Sequence, residues 1–203
     1  MKSYFSSDEN KRAKFIFDLI APVYGLIDWS TKRNYPDIVK LLNESIPLEG
    51  RSALDVGTGT GTWIATMNTF GLSHAQGIDF SEKMIVKAKK NHPEIAFSSS
   101  DAGKLKAFQD NSFDIVTASF VMHGMKKEAR TKVLKEMKRV AKHYVVIQDF
   151  YIKSSGFIRL IEWLERSDYM YFKEHFTEEM TTFFSETKVL PAHNGNGLYI
   201  GIK

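Results

Sequence analysis

Short apolar runs and longer amphipathic stretches alternate through the centre of the chain. Strands are predicted where a few apolar or β-branched residues lie between glycine or polar turns, at residues 52–56, 75–79, 95–99, 113–118 and 144–150. Helices are predicted where apolar residues recur at helical spacing, at residues 60–70, 82–91 with Ser81 as the N-cap, and 127–141. Strands separated by helices in this order predict a parallel sheet.

The last part of the chain has a different pattern. Two more strands are predicted at 188–192 and 198–202, with His193, Asn194, Gly195, Asn196 and Gly197 between them. Asn-Gly pairs favour the positive φ angles of tight hairpin turns, so these strands should pair antiparallel and the final one should return into the sheet. The expected fold class is α/β: a Rossmann-like, doubly wound, mostly parallel sheet of seven strands, with a C-terminal antiparallel hairpin and helices on both faces.

The length of 203 residues fits a single domain spanning the whole chain. Its expected parts are an N-terminal lid segment at 1–35, a cofactor-binding core at 52–150, a substrate-lid insertion at 151–184 and the terminal hairpin at 186–203. The two lid segments are rich in aromatic residues, because 1–35 and 150–184 hold 17 of the 26 in the chain. These rings could form only the core of the lid, or they could line an apolar pocket for a planar or hydrophobic molecule.

Composition excludes several classes of function. The chain has no cysteine, which rules out disulfides, thiolate metal sites and cysteine nucleophiles. The histidines at 74, 92, 143 and 175 lack ligand spacing with one another, and His193 fits a turn residue, so we expect no metal site. The polar N-terminus and the lack of an apolar run near the roughly 18 residues that span a bilayer predict a cytoplasmic protein without an integral membrane segment. The net charge of +4 is scattered, which favours a solvated surface over nucleic-acid binding.

The most informative segment is the glycine loop, residues 54–62, which follows the first predicted strand. It carries Asp55 and then glycines at 57, 59 and 61. A dinucleotide site would need a third glycine at position 62 or 64, where this chain has Thr62 and Ile64. No Gly-Lys-Ser/Thr ending of a nucleoside triphosphate loop is present either. The loop instead reads D-x-G-x-G-x-G.

This loop resembles the first motif of class I S-adenosylmethionine methyltransferases, and later segments match the same family. Asp79 in GIDFSEKM, Asp101 and Ala102 in SSSDAGKL, and Ser119 in NSFDIVTASF follow successive strands in the expected order. The resemblance implies S-adenosylmethionine as cofactor, S-adenosylhomocysteine as product, and a carboxylate at Asp79 that accepts hydrogen bonds from both ribose hydroxyls. The implied cofactor-binding residues are Asp55, Gly57, Gly59, Thr60, Gly61, Asp79, Phe80, Met84, Asp101, Ala102 and Ser119.

A narrower resemblance is to the ubiquinone/menaquinone C-methyltransferase branch, also called methyltransferase type 11. The segment FDLIAPVYGLID is similar to the entry segment of that branch, and Tyr24 matches a recurring tyrosine in it. The segment VTASF is similar to the fourth strand of that branch. The chain departs from the branch at residues 121–124 and after Phe150, the regions that would contact a substrate.

Methyl transfer from a sulfonium needs positioning more than covalent help, so a general base depends on the acidity of the acceptor. Candidate catalytic residues are His123, just past the fourth strand, and Tyr24; Asp149, at the end of the fifth strand, is a further candidate. We expect Tyr24, His123, Trp163 and Tyr169 to surround one cavity beside Ser119, where segments 1–29 and 156–184 meet over the methyl group. We also expect Asp79 to lie at an exposed strand end.

Several acceptors are excluded by what the chain lacks. There is no Asn-Pro-Pro-Tyr-like segment, which the resemblance would require for exocyclic amines of DNA bases, and no cysteine for cytosine ring carbons or arsenite. The leading hypothesis is an enzyme acting on a small, apolar or aromatic molecule. The alternatives are an RNA or protein methyltransferase and a non-catalytic S-adenosylmethionine-binding regulatory protein.

Overall fold

The structure, a computed structural model, describes residues 33–151, 169–192 and 195–203. The chain divides into two compact units, Met1–Tyr35 and Pro36–Lys203. The first lies almost wholly outside the described residues, so everything below concerns the second. The expectation of a single domain over the whole chain stays a prediction.

The described elements follow the predicted alternation of helices and strands. The helices are α1 (Tyr35–Ser45), α2 (Thr62–Asn68), α3 (Glu82–Asn91), α4 (Lys127–Val140) and α5 (Tyr169–Phe183), with a 3₁₀ turn at Met122–Gly124. The strands are β1 (Ser52–Val56), β2 (His74–Asp79), β3 (Ala96–Ser99), β4 (Phe113–Ser119), β5 (Ala141–Phe150), β6 (Glu186–Pro191) and β7 (Asn196–Ile202).

The strands form one seven-stranded sheet in the order β3-β2-β1-β4-β5-β7-β6. The first five of these are parallel, whereas β7 runs antiparallel to both β5 and β6. This confirms the predicted fold class, including the final strand that returns into the sheet. The order reverses between β1 and β4, and in open α/β sheets ligands bind at the carboxyl ends of the strands beside such a reversal.

Helices cover both faces of the sheet. On one face, α4 and α5 pack against alternate residues of β1, β4 and β5 in a continuous buried cluster. Successive strand residues point to opposite faces, so Thr117 lies on the other one. There the indole Nε1 of Trp63 in α2 donates a hydrogen bond to Thr117 Oγ1 at 3.0 Å. The carboxyl edge of the central strands is therefore held between two packed layers.

Several predicted boundaries were wrong, among them the start of β5, which lies at Ala141 rather than at residue 144. The helix predicted from residue 60 begins at Thr62, because Gly61 takes a φ of 83° that a right-handed helix does not allow. The hairpin strands each begin two residues earlier than predicted, at Glu186 and Asn196, because backbone pairing continues past the apolar residues. His193 and Asn194 of the predicted turn lie outside the described residues, while Gly195 has the expected positive φ of 77°.

No helix within the described residues is long and apolar enough to cross a membrane.

Candidate active site

The glycine loop turns sharply between β1 and α2. Its three glycines at 57, 59 and 61 have φ angles of 74°, 54° and 83°, which side chains rarely tolerate. A Cβ at Gly57 would lie 2.6 Å from Val121, so the loop packs closely on the segment after β4. A Cβ at Gly59 would meet nothing within 4 Å. The middle of the loop therefore presents bare backbone to an open space.

Asp55 ends up buried beneath this loop. Its side chain is 1% exposed, and neither carboxylate oxygen has a hydrogen-bond partner among the described residues. Burial raises the pKa of Asp55 to about 7; the neighbouring Thr58 hydroxyl lowers it, and the Asp79 carboxylate adds a smaller increase. A buried acid without a partner is costly, so this site can gain from a ligand that carries a positive charge or a hydrogen-bond donor.

Asp79, the last residue of β2, organises the same corner. Its Oδ2 accepts the backbone N–H of Gly59 at 2.9 Å, and its Oδ1 accepts that of Ser81 at 2.8 Å. Contrary to the prediction of an exposed strand end, Asp79 is only 7% exposed, because it ties the glycine loop to the start of α3. Burial raises the pKa of Asp79, while these backbone donors lower it. A carboxylate offers about four acceptor sites, so the backbone N–H groups of Gly59, Ser81 and Phe80 leave room for a ligand hydroxyl.

The other predicted cofactor residues take different positions along this edge. Thr60, in the loop, lies 3.3 Å from Thr62 between their hydroxyl oxygens. Phe80 is exposed beyond β2, and the backbone N–H of Met84 is capped by the Ser81 hydroxyl in the first turn of α3. Asp101 is exposed and accepts the backbone N–H of Gly103, and Ala102 packs partly against the core. The strand order brings the ends of β1, β2 and β3 side by side.

Ser119 ends β4 and pairs with a residue that sequence reasoning missed. Its hydroxyl donates to Oε1 of Gln148 in β5 at 2.5 Å. Gln148 is fully buried, and its Nε2 has no partner among the described residues. The only signal in the sequence is a glutamine that follows the apolar run YVVI directly and precedes Asp149.

His123, in the 3₁₀ turn that follows β4, forms a hydrogen bond with Asp149 in β5. The His123 Nδ1 and the Asp149 Oδ1 lie 2.7 Å apart, and the Asp149 side chain is fully buried. The same carboxylate accepts the backbone N–H groups of Met122, His123 and Phe150. Asp149 was a candidate base, but this geometry makes it the group that orients His123. Donation from Nδ1 to a carboxylate leaves Nε2 as the acceptor nitrogen of a neutral imidazole.

Aromatic rings surround the His123 imidazole. Ring centroids of Phe120, Phe150, Tyr169 and Phe172 lie 6.3, 4.9, 6.1 and 6.5 Å from it, all with edge-to-face geometry. The predicted neighbourhood of His123 and Tyr169 is present. Tyr24 and Trp163, the other two residues expected at this cavity, lie outside the described residues.

The described half of the predicted substrate lid contributes mainly to the core. Phe172, Phe176, Met180 and Phe184 belong to the buried cluster on the α4 face of the sheet. Only the first turn of α5, with Tyr169 and Phe172, reaches the His123 ring. Segments 1–29 and 156–168 of the lid lie outside the described residues, so their meeting over the site stays a prediction.

Within the described part of the chain, no group of three or more His, Asp or Glu side chains is arranged to hold a metal ion.

Comparison with known proteins agrees with this geometry. Residues 53–143, which run from β1 to the start of β5, match the model of a family described as a methyltransferase domain. The demethylmenaquinone methyltransferase of Chlorobaculum tepidum is 31% identical over 147 residues, covering 70% of this chain and 60% of that protein. Over residues 53–143 the chain is therefore similar to a methyltransferase domain, and its fold is that of S-adenosylmethionine-dependent methyltransferases.

Two further similarities are to a second curated protein and to a solved structure. The demethylmenaquinone methyltransferase of Renibacterium salmoninarum is 35% identical over 131 residues, covering 63% of this chain and 53% of that protein. The chain thus spans between 53% and 60% of the length of these two curated relatives. Magnesium protoporphyrin IX methyltransferase of Synechocystis PCC 6803, solved with bound S-adenosylhomocysteine, has the same fold, with a TM-score of 0.63 and 16% identity over 85% of this chain and 83% of that one.

Proposed function

We propose that this protein transfers a methyl group from S-adenosylmethionine to a small aromatic or apolar acceptor. One observation carries the proposal: a buried carboxylate, Asp55, for which the described residues supply no cationic partner, lies at the foot of a glycine loop whose middle faces open space. Such a carboxylate is costly to fold and fits a cationic ligand. S-adenosylmethionine supplies an activated methyl group and carries an ammonium and a ribose diol, which match the acids at this edge.

The chain's own residues then have distinct tasks. Asp55 would hold the ammonium end, and Asp79 would accept the ribose hydroxyls with the lone pairs that Gly59 and Ser81 do not use. The bare backbone at Gly59 allows close approach of the ligand. Because both acids are fixed within packed elements, they need little reorganisation when a ligand binds.

The acceptor side is supported by the surroundings of His123. Phe120 and Phe150, the partly exposed rings beside its imidazole, offer a planar, apolar molecule favourable contacts. The buried Tyr169 and Phe172 hold the imidazole from behind. Asp149 holds the imidazole so that Nε2 can accept a proton from an acidic acceptor. The names of the relatives, demethylmenaquinone methyltransferases, favour an aromatic ring as the acceptor.

Calorimetry with S-adenosylmethionine and S-adenosylhomocysteine tests the cofactor half of the proposal. Saturable binding of both, lost in the Asp55→Ala variant, is expected; no binding to the folded wild type would refute it. Incubation with labelled S-adenosylmethionine and fractions of small molecules, followed by mass spectrometry, tests the acceptor half.

The role of His123 is tested with the same assay. The His123→Gln variant should bind S-adenosylhomocysteine like the wild type but lose about 100-fold or more in turnover of an acidic acceptor. His143→Gln, at an exposed histidine in β5, is the matched control and should keep turnover. Equal turnover in the two variants would remove His123 from the reaction.

A further inference from the structure

Gln148 holds a buried hydrogen-bond donor that the described part of the fold does not use. Its side chain is fully buried, and Ser119 occupies Oε1. The Nε2 group, which carries two N–H bonds, has no partner among the described residues. Buried polar groups are nearly always hydrogen-bonded in native proteins, so an exception needs a physical reason.

The next residue shows that this strand end can satisfy polar groups. Asp149 is equally buried, and its carboxylate receives four donors: three backbone N–H groups and the His123 ring. The carboxylate of Asp149 is therefore fully paired. The unpaired amide of Gln148 is better explained by a ligand than by packing.

The position of Gln148 indicates which ligand that is. The register pairs Asp55 with Thr117, Thr117 with Val146, and Ser119 with Gln148. Side chains alternate between faces, so Asp55, Ser119 and Gln148 share the α2 face of the sheet. Two strand spacings and two residues separate Asp55 from Gln148, a distance of roughly 12 Å. If Asp55 holds the ammonium end of the cofactor, Gln148 lies beyond it, on the acceptor side of Ser119.

We propose that the Gln148 amide donates a hydrogen bond to an oxygen of the methyl acceptor, a ring hydroxyl, phenolate or carbonyl, and so selects oxygen-bearing rings. This rests on the proposed function, since it assigns a substrate class to the same site. A site built around a buried donor rejects analogues that lack the oxygen, because the donor is then left unpaired in the complex.

The test uses two probes of the same shape, 1,4-dihydroxynaphthalene and naphthalene, titrated anaerobically into the full chain with S-adenosylhomocysteine present. The wild type should bind the dihydroxy probe about tenfold or more tightly than naphthalene. Gln148→Leu should bring the two affinities within about threefold of each other, through loss of affinity for the dihydroxy probe alone. Gln76→Leu, the same change in the interior of β2, is the control and should keep the preference.

Three readouts separate the possible failures. The affinity for S-adenosylhomocysteine should be the same in Gln148→Leu as in the wild type. If the wild type does not bind S-adenosylhomocysteine at all, the proposed function is refuted rather than the role of Gln148. The thermal stability of Gln148→Leu should change little, since removal of the unpaired buried donor offsets the loss of the hydrogen bond from Ser119; a marked fall in stability with the preference retained would mark a structural role. Failure of the wild type to prefer or to bind the dihydroxy probe would also overturn the inference.

Discussion

At the scale of single residues, Asp55 couples stability to pH. The pKa of its carboxyl is about 7 in the folded protein, against 3.8 for an ordinary aspartate, because burial disfavours the charged form. Well below pH 3.8 the carboxyl is protonated in both the folded and the unfolded state, so its burial does not lower the free energy of unfolding through ionisation. As the pH rises towards 7, the unfolded chain releases the proton first, so the free energy of unfolding falls, and the loss is complete above the folded pKa.

The Asp55→Asn variant should remove this dependence. Without cofactor at about pH 8, it should exceed the wild type in free energy of unfolding by roughly 2–4 kcal/mol, since each pKa unit corresponds to about 1.4 kcal/mol. At about pH 4 the two proteins should be nearly equal. Urea unfolding at both pH values measures this, with Asp101→Asn, an exposed aspartate, as the control. A difference between variant and wild type that is the same at both pH values would contradict the pKa.

Asp79 shows a dual role at the same scale. Asp79→Ala should weaken S-adenosylhomocysteine binding by about 2–4 kcal/mol, because two hydrogen bonds to a charged group are lost. It should also lower the free energy of unfolding by roughly 2 kcal/mol, since the N–H groups of Gly59 and Ser81 lose their acceptor.

Ser81→Ala separates the two effects of that substitution. Ser81 caps α3 through the Met84 N–H, so its loss should cost about 1 kcal/mol of stability with little change in cofactor affinity. Calorimetry and urea unfolding of both variants provide the comparison. An Asp79→Ala variant with unchanged cofactor affinity would exclude the ribose contact.

At the scale of elements, a buried ion pair joins α4 to α5. Arg130 donates from Nε and Nη2 to the two carboxylate oxygens of Glu179 at 3.0 and 2.7 Å, and from Nη1 to the Met125 carbonyl. Arg130 is fully buried and the Glu179 side chain 9% exposed. The pair therefore holds α5, whose first turn carries Tyr169 and Phe172, against the turn that carries His123.

Replacing one partner of this ion pair should lower the free energy of unfolding more than replacing both partners together. Glu179→Gln or Arg130→Met alone should lower the free energy of unfolding by about 3–5 kcal/mol, because one buried charge or polar group is left unpaired. The double variant Arg130→Met, Glu179→Met should recover most of that loss. Urea unfolding of the three variants measures the coupling, and additive losses would show that the two side chains act independently.

At the scale of the whole molecule, the two units should have separable tasks. Because the cofactor contacts proposed above all lie in the unit Pro36–Lys203, deletion of residues 1–32 should leave S-adenosylhomocysteine binding within about threefold of the full chain. Turnover of an identified acceptor should fall by about tenfold or more, if the aromatic N-terminal segment helps to exclude water from the site. Calorimetry and a turnover assay on the truncated chain check this. Unchanged turnover would remove the segment from the acceptor site.

The sequence by itself determined the order of elements, the glycine loop and the row of residues at the strand ends. These features depend on local physics: strand-length apolar runs, helical spacing, and backbone angles that only glycine adopts freely. The pattern places the glycine loop after the first strand and Asp79 at the end of the second, and the family resemblance assigns Asp55 and Asp79 to one cofactor site. The pattern misses the start of α2 by two residues, because the left-handed Gly61 ends the loop later than the apolar pattern suggests.

Only the tertiary structure decided which polar groups are buried and which of them are paired. Ser119 and Gln148 are 29 residues apart, His123 and Asp149 are 26 apart, and Arg130 and Glu179 are 49 apart. No local pattern specifies such pairs, because the parallel crossovers and the packing of α5 bring them together. The same packing leaves Asp55 and the Gln148 amide without partners among the described residues. Burial, which sets the cost of an unpaired group, is a property of the assembled sheet and its covering helices rather than of any one segment.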